Sequence, residues 1–244
     1  DVVDFFMALL SFADSTPRAY RLKVSNACPP ISTLTGTSPT TDYTPVSLDD
    51  NNFDIGAYIE VARQLNSDSI CFLNTTSEIL ADHWLYKLAS NLSAPGVGLV
   101  GATSSFESMR SADIAFPSFP NPHIRSNAFM ISRKLFCTVT HDVRITDKLS
   151  THNFESGSQG LTRKILSMGL RPILVGRNGR GYSIENWATS GTFRQARQEN
   201  LLVADNQTRL FANLPFFEKS RLAAMAWGRF LQRNSFATQP KVPH

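Results

Sequence analysis

The chain has 244 residues, 42% of them hydrophobic and 18% charged. A chain of this length can bury a substantial core, and this composition excludes wholesale disorder. The net charge is only +4 and no run of Lys or Arg exceeds two residues, which favours an anionic small ligand and argues against a nucleic-acid partner.

Targeting and cysteine signals are weak. The longest apolar stretch, residues 2–12, is shorter than the roughly 20 residues that span a bilayer. It carries Asp1 and Asp4 where a signal peptide would have Lys or Arg. The three cysteines are widely spaced without a CxxC pair, which argues against a structural zinc and fits a reducing compartment. We therefore expect no transmembrane segment and a cytoplasmic location, with membrane association only through partners. The missing initiator Met suggests an excerpt or a processed form.

The first quarter of the chain predicts two helices with a strand and a long loop between them. Residues 2–13 form a long unbroken apolar run, which favours a helix over a strand. Residues 20–24 alternate as a strand does, and residues 26–50 are rich in Ser, Thr and Pro, as in a loop. Residues 53–65 then predict an amphipathic helix with Asn52 or Asp54 as its N-cap.

The central stretch, residues 69–101, predicts a strand–helix–strand unit. Ile70 to Leu73 is a short buried strand, Trp84 to Leu92 has helical spacing, and Val97 to Gly101 is a second buried strand. The first strand ends abruptly in the polar residues 74–77. In open α/β sheets ligands bind beyond the carboxyl ends of the strands, so residues 74–77 form either a ligand contact or a plain Asx or Ser/Thr turn.

The remaining elements continue the alternation. Residues 102–122 predict a long loop, and residues 124–135 a strand that leads into a short helix. Residues 154–157 open a helix that ends at Gly169, and residues 171–176 form a strand. Residues 183–209 predict an irregular tail with one short strand, followed by a helix over residues 215–232. The pattern predicts one α/β domain.

Read in order, these pieces resemble a glycosyltransferase of the GT-A fold, and in particular the rhamnan-synthesis protein F type and related polysaccharide glycosyltransferases. The likeness covers roughly residues 1–180. The motifs that carry it are DIGA at 54–57, FLNT at 72–75, Trp84, GLVG at 98–101 and PH at 122–123. The resemblance implies a GT-A-like open, mostly parallel sheet flanked by helices, with a glycosyltransferase domain at 1–214 and a C-terminal helix and tail at 215–244.

The resemblance also implies an activity: transfer of a hexosyl or deoxyhexosyl group from a nucleotide-diphosphate sugar to a saccharide or glycolipid acceptor, with inversion, in surface-polysaccharide synthesis. The family's Asp-x-Asp motif, which helps to hold a divalent metal, is replaced here by Asn74-Thr75-Thr76. One amide and two hydroxyls are poor ligands for Mg²⁺ or Mn²⁺. We assign no metal ligand, and metal dependence stays open.

Several residues are candidates for roles in such a reaction, each with a plainer alternative. Glu155 is the candidate base for the acceptor hydroxyl, or it merely complements the dipole at the start of a helix. His123 and Arg125 would hold the acceptor or a phosphate, or His123 is structural. The candidates for donor and nucleotide binding are Asp54, Gly56, Asn74, Thr75, Thr76 and Arg177. Asp54 is equally well a helix cap, and Arg177 equally well belongs to a solvated basic turn with Arg180.

Other chemistries lack their motifs. GxxxxGK[ST] and GxSxG are absent, which argues against P-loop NTPases and α/β hydrolases. The GxGxxG spacing occurs at 96–101, but it lies inside the strand predicted for Val97 to Gly101 and not in a turn that opens a helix, so it gives no support to a dinucleotide oxidoreductase. The main alternative to an enzyme is a non-catalytic GT-A-like binding or assembly module of a larger polysaccharide-synthesis protein, in contact with that protein's other domains. Its final aromatic helix would then be an interface.

Overall fold

The computed structural model describes residues 5–12, 20–26 and 43–48 as backbone strands and residues 53–231 in full, with side chains from Asp54 onward. The strands are β1 Phe5–Phe12, β2 Tyr20–Asn26, β3 Tyr43–Leu48, β4 Ser69–Leu73, β5 Glu78–Ile79, β6 Val97–Gly101, β7 Ser104–Ser105, β8 His123–Ile124, β9 Ala128–Ser132, β10 Arg171–Val175, β11 Gly181–Tyr182 and β12 Val203–Ala204. The helices are α1 Phe53–Gln64, α2 Trp84–Leu92, α3 Arg133–Val139, α4 Lys148–Ser156, α5 Leu161–Ser167, α6 Asn206–Asn213 and α7 Phe216–Trp227. Short 3₁₀ turns cover Ile184–Thr189 and Gly228–Phe230.

The main sheet has the strand order β11-β10-β6-β9-β4-β1-β2-β3. It is mixed: β1 is parallel to β4 and β6 is parallel to β10, whereas the other neighbouring pairs are antiparallel. An open α/β sheet flanked by helices is therefore confirmed, but the expectation of a mostly parallel sheet is wrong. One physical reason is β9, which inserts between β4 and β6 in the opposite direction and replaces their expected parallel contact with two antiparallel ones. The outer strands β2, β3 and β11 add three more antiparallel contacts.

The strand over Phe5–Phe12 corrects the helix expected for residues 2–13. β1 pairs on both sides, with β2 and with β4, so it is an interior strand of the sheet. Interior strands read as continuous apolar runs, and such a run has no period that separates it from a buried helix. Tyr43–Leu48 is also a strand inside the expected loop 26–50, whose other residues lie mostly outside the described part of the chain.

The helices and strands of residues 53–175 otherwise follow the predicted order. The helix over 53–65, the central strand–helix–strand unit, the strand that leads into a short helix, and the strand at 171–176 are all confirmed. Gly169 has φ +73°, the left-handed conformation expected after the preceding helix. In the predicted tail 183–209, the short strand is β12, and helix α6 begins at Asn206, where no helix was expected.

Two apolar layers cover the sheet. Because side chains alternate along a strand, Ile70 and Phe72 of β4 enter one layer while Cys71 and Leu73 enter the other. The first layer includes residues of α1, α3, α4, α5 and the inner side of α7, and the second includes Leu88 of α2. An aromatic group around Phe72 ties the first layer together, with ring centroids 4.6 Å from Tyr58 and 4.7 Å from Phe136.

Candidate functional site

Chain segments with polar side chains converge at the edge of the sheet where β4 and β6 end. Because β9 runs in the opposite direction, the residues before Ala128 lie at this same edge. Backbone hydrogen bonds fix the meeting point: Asn74 N–H donates to the Asn127 carbonyl at 3.0 Å, and Arg125 N–H donates to the Thr103 carbonyl at 3.0 Å. The residues that follow β4 and β6 and those that precede β9 thus form one continuous polar surface, which we call the polar floor. Open α/β sheets bind ligands at this edge.

Glu155 faces this floor from α4. Its Oε2 accepts two hydrogen bonds from Ser126, one from the backbone N–H at 2.6 Å and one from the hydroxyl at 2.5 Å. Burial alone raises the pKa of Glu155, but His123, Arg125 and the two Ser126 donors together hold that pKa below its ordinary value. Within the described residues Oε1 accepts no hydrogen bond, so one oxygen of an ionised carboxylate stays available.

The position of Glu155 within its helix differs from the expected one. α4 begins at Lys148, where Asp147 caps it and forms a capping box with Ser150, and it ends at Ser156. Glu155 therefore lies in the last turn and not at a helix start, so the N-terminal dipole cannot be its role. A carboxylate at a helix C-terminus is unfavourable. Its ionised state depends instead on the contacts across the floor.

His123 lies buried beside Glu155. Its Nδ1 is 2.8 Å from the Asn121 carbonyl, an acceptor, so Nδ1 carries the proton and Nε2 has the lone pair. Burial lowers the pKa of His123 against the opposing attraction of Glu155 and Glu107, and Arg125 lowers it further. The imidazole is therefore neutral near pH 7, next to a carboxylate that is charged.

Arg125 forms a buried ion pair with Asp205. The guanidinium Nη1 lies 2.8 Å from Asp205 Oδ2, and the Asp205 side chain is 1% exposed. The other carboxylate oxygen caps α6 by accepting from Thr208 N–H at 2.8 Å. The guanidinium carbon also lies 4.1 Å from the centre of the Phe193 ring. Asp205 therefore connects the start of α6 to the floor of the sheet.

Thr103 and Asn127 complete the floor. The Thr103 hydroxyl donates to Asn127 Oδ1 at 2.5 Å and accepts a longer bond from Arg125 at 3.4 Å. Asn127 Nδ2 is buried and finds no hydrogen-bond partner among the described residues. A buried donor without a partner is costly, and such groups in native structures often mark a bound polar molecule.

A second arginine also lies over the Phe193 ring: the guanidinium carbon of Arg194 is 4.7 Å from the ring centre. Arg194 pairs with Glu107 at 3.0 Å and donates to Gln207 at 3.2 Å, while its buried Nε has no partner in the described part of the chain. Burial lowers the pKa of Arg194, and the attraction of Glu107 opposes that change. The two arginines therefore each have their own carboxylate. A third arginine, Arg163, donates to Asn121 Oδ1 at 3.1 Å and forms no ion pair with any described residue.

The segment that carries Arg194 has a strained backbone. Arg194, Ala196 and Gln198 have φ values of 51°, 44° and 57°, in the left-handed region that non-glycine residues avoid. Side-chain amides hold it: Gln195 accepts from Gly191 N–H at 2.8 Å, and Gln198 donates to the Thr208 carbonyl at 2.9 Å. Strained segments are often found at ligand sites and are retained because their surroundings impose them.

The predicted donor motif at residues 74–76 is an Asx turn. The sequence left two interpretations of this motif open, a ligand contact or such a turn. Asn74 Oδ1 accepts from the backbone N–H and the hydroxyl of Thr76, both at 3.1 Å, and from Ser77 Oγ at 2.9 Å. The amide oxygen is thus fully used inside the turn, and the motif supplies no carboxylate. These residues do not fit a divalent metal. Ligand contact through the remaining groups, including partly buried Thr75, stays a prediction.

The other predicted donor residues lie apart from the polar floor. Gly56 is buried within α1, and Asp54 lies partly buried in that helix's first turn, where burial raises its pKa. Arg177 is exposed, and only its backbone N–H is fixed, by the Asn200 carbonyl at 2.7 Å. Neighbouring Arg180 lies over Tyr182. This is the solvated basic turn named as the alternative, and no contact joins Arg177 to Glu155 within the described residues.

A small cavity of about 180 Å³ lies at the opposite edge of the sheet. Ser69, Val97 and Ser132 line it, and these residues begin β4, begin β6 and end β9. It is therefore not part of the polar floor.

Several residues of the site were not singled out from the sequence: Thr103, Ser126, Asn127, Glu107, Phe193 and Arg194. Single polar residues inside loops carry no periodic signal. The insertion of β9 between β4 and β6 brings Thr103, Ser126 and Asn127 together. Among the described residues no group of three or more His, Cys, Asp or Glu side chains has the geometry to bind a metal ion.

No protein-family model matches this chain, and a search of the curated proteins finds no match. The described helices include none that has both the length and the apolar character to cross a bilayer.

Proposed function

We propose that the chain is a GT-A-like glycosyltransferase that transfers a sugar from a nucleotide-sugar donor to a saccharide acceptor in polysaccharide synthesis. The observation that carries the proposal is Glu155: an ionised carboxylate with one oxygen occupied by Ser126 and one available, at the carboxyl edge of an open α/β sheet. Inverting transfer requires a carboxylate of this kind to accept the proton of the attacking hydroxyl.

The charges of the site support binding of the acceptor there over binding of the diphosphate. Arg125 and Arg194 are each paired with a carboxylate, so neither guanidinium is free to neutralise a phosphate. The ionised Glu155 carboxylate repels a phosphate but is compatible with a neutral sugar. The free Nδ2 of Asn127 and the Nε2 of His123 offer one donor and one acceptor to such a ligand. We therefore assign His123 and Arg125 to the acceptor side of the reaction.

In the proposed step the acceptor hydroxyl gives its proton to Glu155 Oε1 as its oxygen attacks the anomeric carbon. The bond from that carbon to the diphosphate breaks, and its electron pair leaves with the diphosphate. Ser126 keeps Oε2 in place, so Oε1 is the carboxylate oxygen that receives the proton, while neutral His123 offers its Nε2 lone pair to another hydroxyl of the sugar. A divalent metal has no step in this scheme, because Asn74-Thr75-Thr76 supplies no carboxylate for it.

The experiment is thermal unfolding of the full chain with UDP, GDP, dTDP and CMP, each with Mn²⁺ and with EDTA, followed by transfer assays with the nucleotide that binds. A ligand bound by the native state alone stabilises it by about 2.7 kcal/mol at a hundredfold excess over its dissociation constant. A shift that survives EDTA, with turnover that Glu155→Gln abolishes, supports the proposal. A shift that requires Mn²⁺ would show that a carboxylate ligand lies elsewhere in the chain.

The second candidate is the non-catalytic binding module. The observation that favours it is the Asx turn at residues 74–76, which closes the position where the family holds its metal. Saccharide binding that is unchanged in Glu155→Gln, without turnover in either protein, would support the module and contradict the enzyme.

A further inference from the structure

One side of α7 combines exposed apolar groups with positive charge. Phe217, Arg221 and Met225 follow one another at intervals of four residues, so they lie along one face of the helix. Phe217 is 76% exposed and Met225 44% exposed, and Arg221 Nη1 lies 3.8 Å from the Met225 sulfur. We call this side, together with Arg229 and Phe230 of the following 3₁₀ turn, the α7 face.

The α7 face continues onto the loop before β8. Phe119 packs beside Phe230, with ring centroids 6.2 Å apart, and both rings are more than a third exposed. Nearby in the chain, Leu210 of α6 is 52% exposed. Five of the large exposed apolar side chains fall within residues 210–230, a concentration that marks an interaction surface more clearly than scattered exposed residues would.

The charge of this region is one-sided. Residues 206–231 contain four basic residues and a single acidic one, Glu218. Glu218 pairs with Arg221 at 3.1 Å, whereas Lys219 and Arg229 form no ion pair with any described residue and lie over the Phe211 and Phe230 rings. Lys219 is two positions from both Phe217 and Arg221, so it lies toward the side of the helix that carries buried Ala223 and Ala226. Exposed Arg229 is therefore the cation of the α7 face that remains available to an external anion.

We propose that the α7 face docks the protein on the surface of a membrane that contains anionic lipids. Aromatic side chains such as Phe217 and Phe230 enter the boundary between headgroups and acyl chains, and nearby Lys and Arg bind the anionic headgroups. A second copy of the chain fits less well. A two-fold contact would bring Arg221 and Arg229 against the same two residues of the partner, with Glu218 as the one acidic residue of the region.

The buried side of the same helix contacts the polar floor. Trp227 Nε1 donates to the Phe193 carbonyl at 2.8 Å, and the Ala226 carbonyl accepts from Phe106 N–H at 2.9 Å. The site is therefore separated from the α7 face by about one helix diameter, some 10 Å. This arrangement favours a lipid-linked saccharide as the acceptor. That choice of acceptor rests on the proposed function, but the membrane contact does not.

The test is co-sedimentation of the full chain with vesicles, without nucleotide or sugar. The vesicles are phosphatidylcholine alone or with about one third phosphatidylglycerol. We expect binding to the anionic vesicles that weakens as salt is added. Phe217→Ser should lower the partition coefficient about tenfold, as expected when one large apolar side chain no longer inserts. Arg229→Glu should lower it at least about fivefold, and on the anionic vesicles alone.

Tyr86→Ser is the matched control, because Tyr86 is 65% exposed but lies on α2, which packs on the opposite side of the sheet. Equal binding of Phe217→Ser and Tyr86→Ser, or no binding of the unchanged protein, would overturn the proposal. If light scattering shows a dimer and Phe217→Ser dissociates it, the α7 face binds a second copy of the chain and the membrane proposal is wrong. Because no step uses a donor or an acceptor, vesicle binding without transfer activity would contradict only the proposed enzyme.

Discussion

Ser126 and Glu155 lie 29 residues apart, and both hydrogen-bond donors of Ser126 reach the same carboxylate oxygen of Glu155. This pairing fixes one oxygen and leaves the other available, although α4 presents Glu155 at its unfavourable C-terminal end. The protein therefore keeps an ionised carboxylate where helix electrostatics disfavour one.

The first prediction concerns this carboxylate. Glu155→Gln keeps the shape of the side chain and removes its ability to accept a proton, so we expect turnover to fall at least about a hundredfold, the usual contribution of general base catalysis. Far-UV circular dichroism should be unchanged. Glu199→Gln, at an exposed position 44 residues further along the chain, is the control and should retain full turnover. Equal rates for the two variants would remove Glu155 from the chemistry.

The second prediction concerns the buried pair Arg125–Asp205. Arg125→Met leaves Asp205 buried without its cation, and breaking such a pair typically costs about 3–5 kcal/mol of unfolding free energy. Arg221→Met breaks the exposed pair with Glu218, and there we expect a loss of about 1 kcal/mol or less. Urea unfolding of both variants measures the difference. Similar losses would mean that water reaches Asp205 in the native state.

The third prediction concerns pH. Burial lowers the pKa of His123 below its ordinary 6.5, so the unfolded chain binds this proton more readily than the native one. The contribution of His123 to the unfolding free energy is then fully present above pH 6.5. It decreases as the pH falls through 6.5 toward the lower pKa of His123 in the native state. The pKa of Glu155 is also lowered, so its contribution is lost at more acidic pH, below its ordinary 4.5. The charged groups that act on His123 are Glu155, Arg125 and Glu107.

Urea unfolding between pH 8 and pH 5 tests this dependence. His123→Gln should flatten the decrease below pH 6.5, because it removes the titrating group. A decrease of the same slope in the variant would assign the effect to another residue.

The fourth prediction compares two glycines. A Cβ at Gly101, the last residue of β6, would overlap Ile124, so Gly101→Ala overpacks the core next to the site and should cost about 1–3 kcal/mol. At Gly169 a Cβ would meet no atom within 4 Å, and only its φ of +73° opposes a side chain. Gly169→Ala should therefore cost about 1–2 kcal/mol and leave ligand binding unchanged. If Gly101→Ala binds ligand normally, then the end of β6 is not part of the site.

The parts of the fold that the sequence predicts are those with local signals. α1 has an amphipathic repeat, β4 and β6 are short apolar runs with polar flanks, and Gly169 ends a helix as glycine commonly does. The helix predicted for residues 2–13 is wrong because β1, a strand paired on both sides, has the same uniform apolar composition as a buried helix. The antiparallel direction of β9 is not encoded in its own five residues; it follows from the long connection that precedes it.

The candidate site was predicted only in part for a similar reason. Glu155, His123 and Arg125 were identified because they are chemically versatile residues in polar stretches, and the structure brings all three to one edge. Asp205 and Arg194 come from the segment expected to be irregular, and they reach the site through contacts with residues 80 or more positions earlier in the chain. Such contacts depend on tertiary folding and leave no trace in local composition.

The left-handed residues Arg194, Ala196 and Gln198 have a consequence for the order of folding. An isolated peptide of this sequence would avoid the conformation, because its residues do not favour positive φ. The amides that impose it depend on partners elsewhere: Gln195 on the Trp187 carbonyl, and Gln198 on the Thr208 carbonyl at the start of α6. We expect the segment to adopt its native shape only after both partners are in position. This part of the candidate site would then form late, as a product of the finished fold.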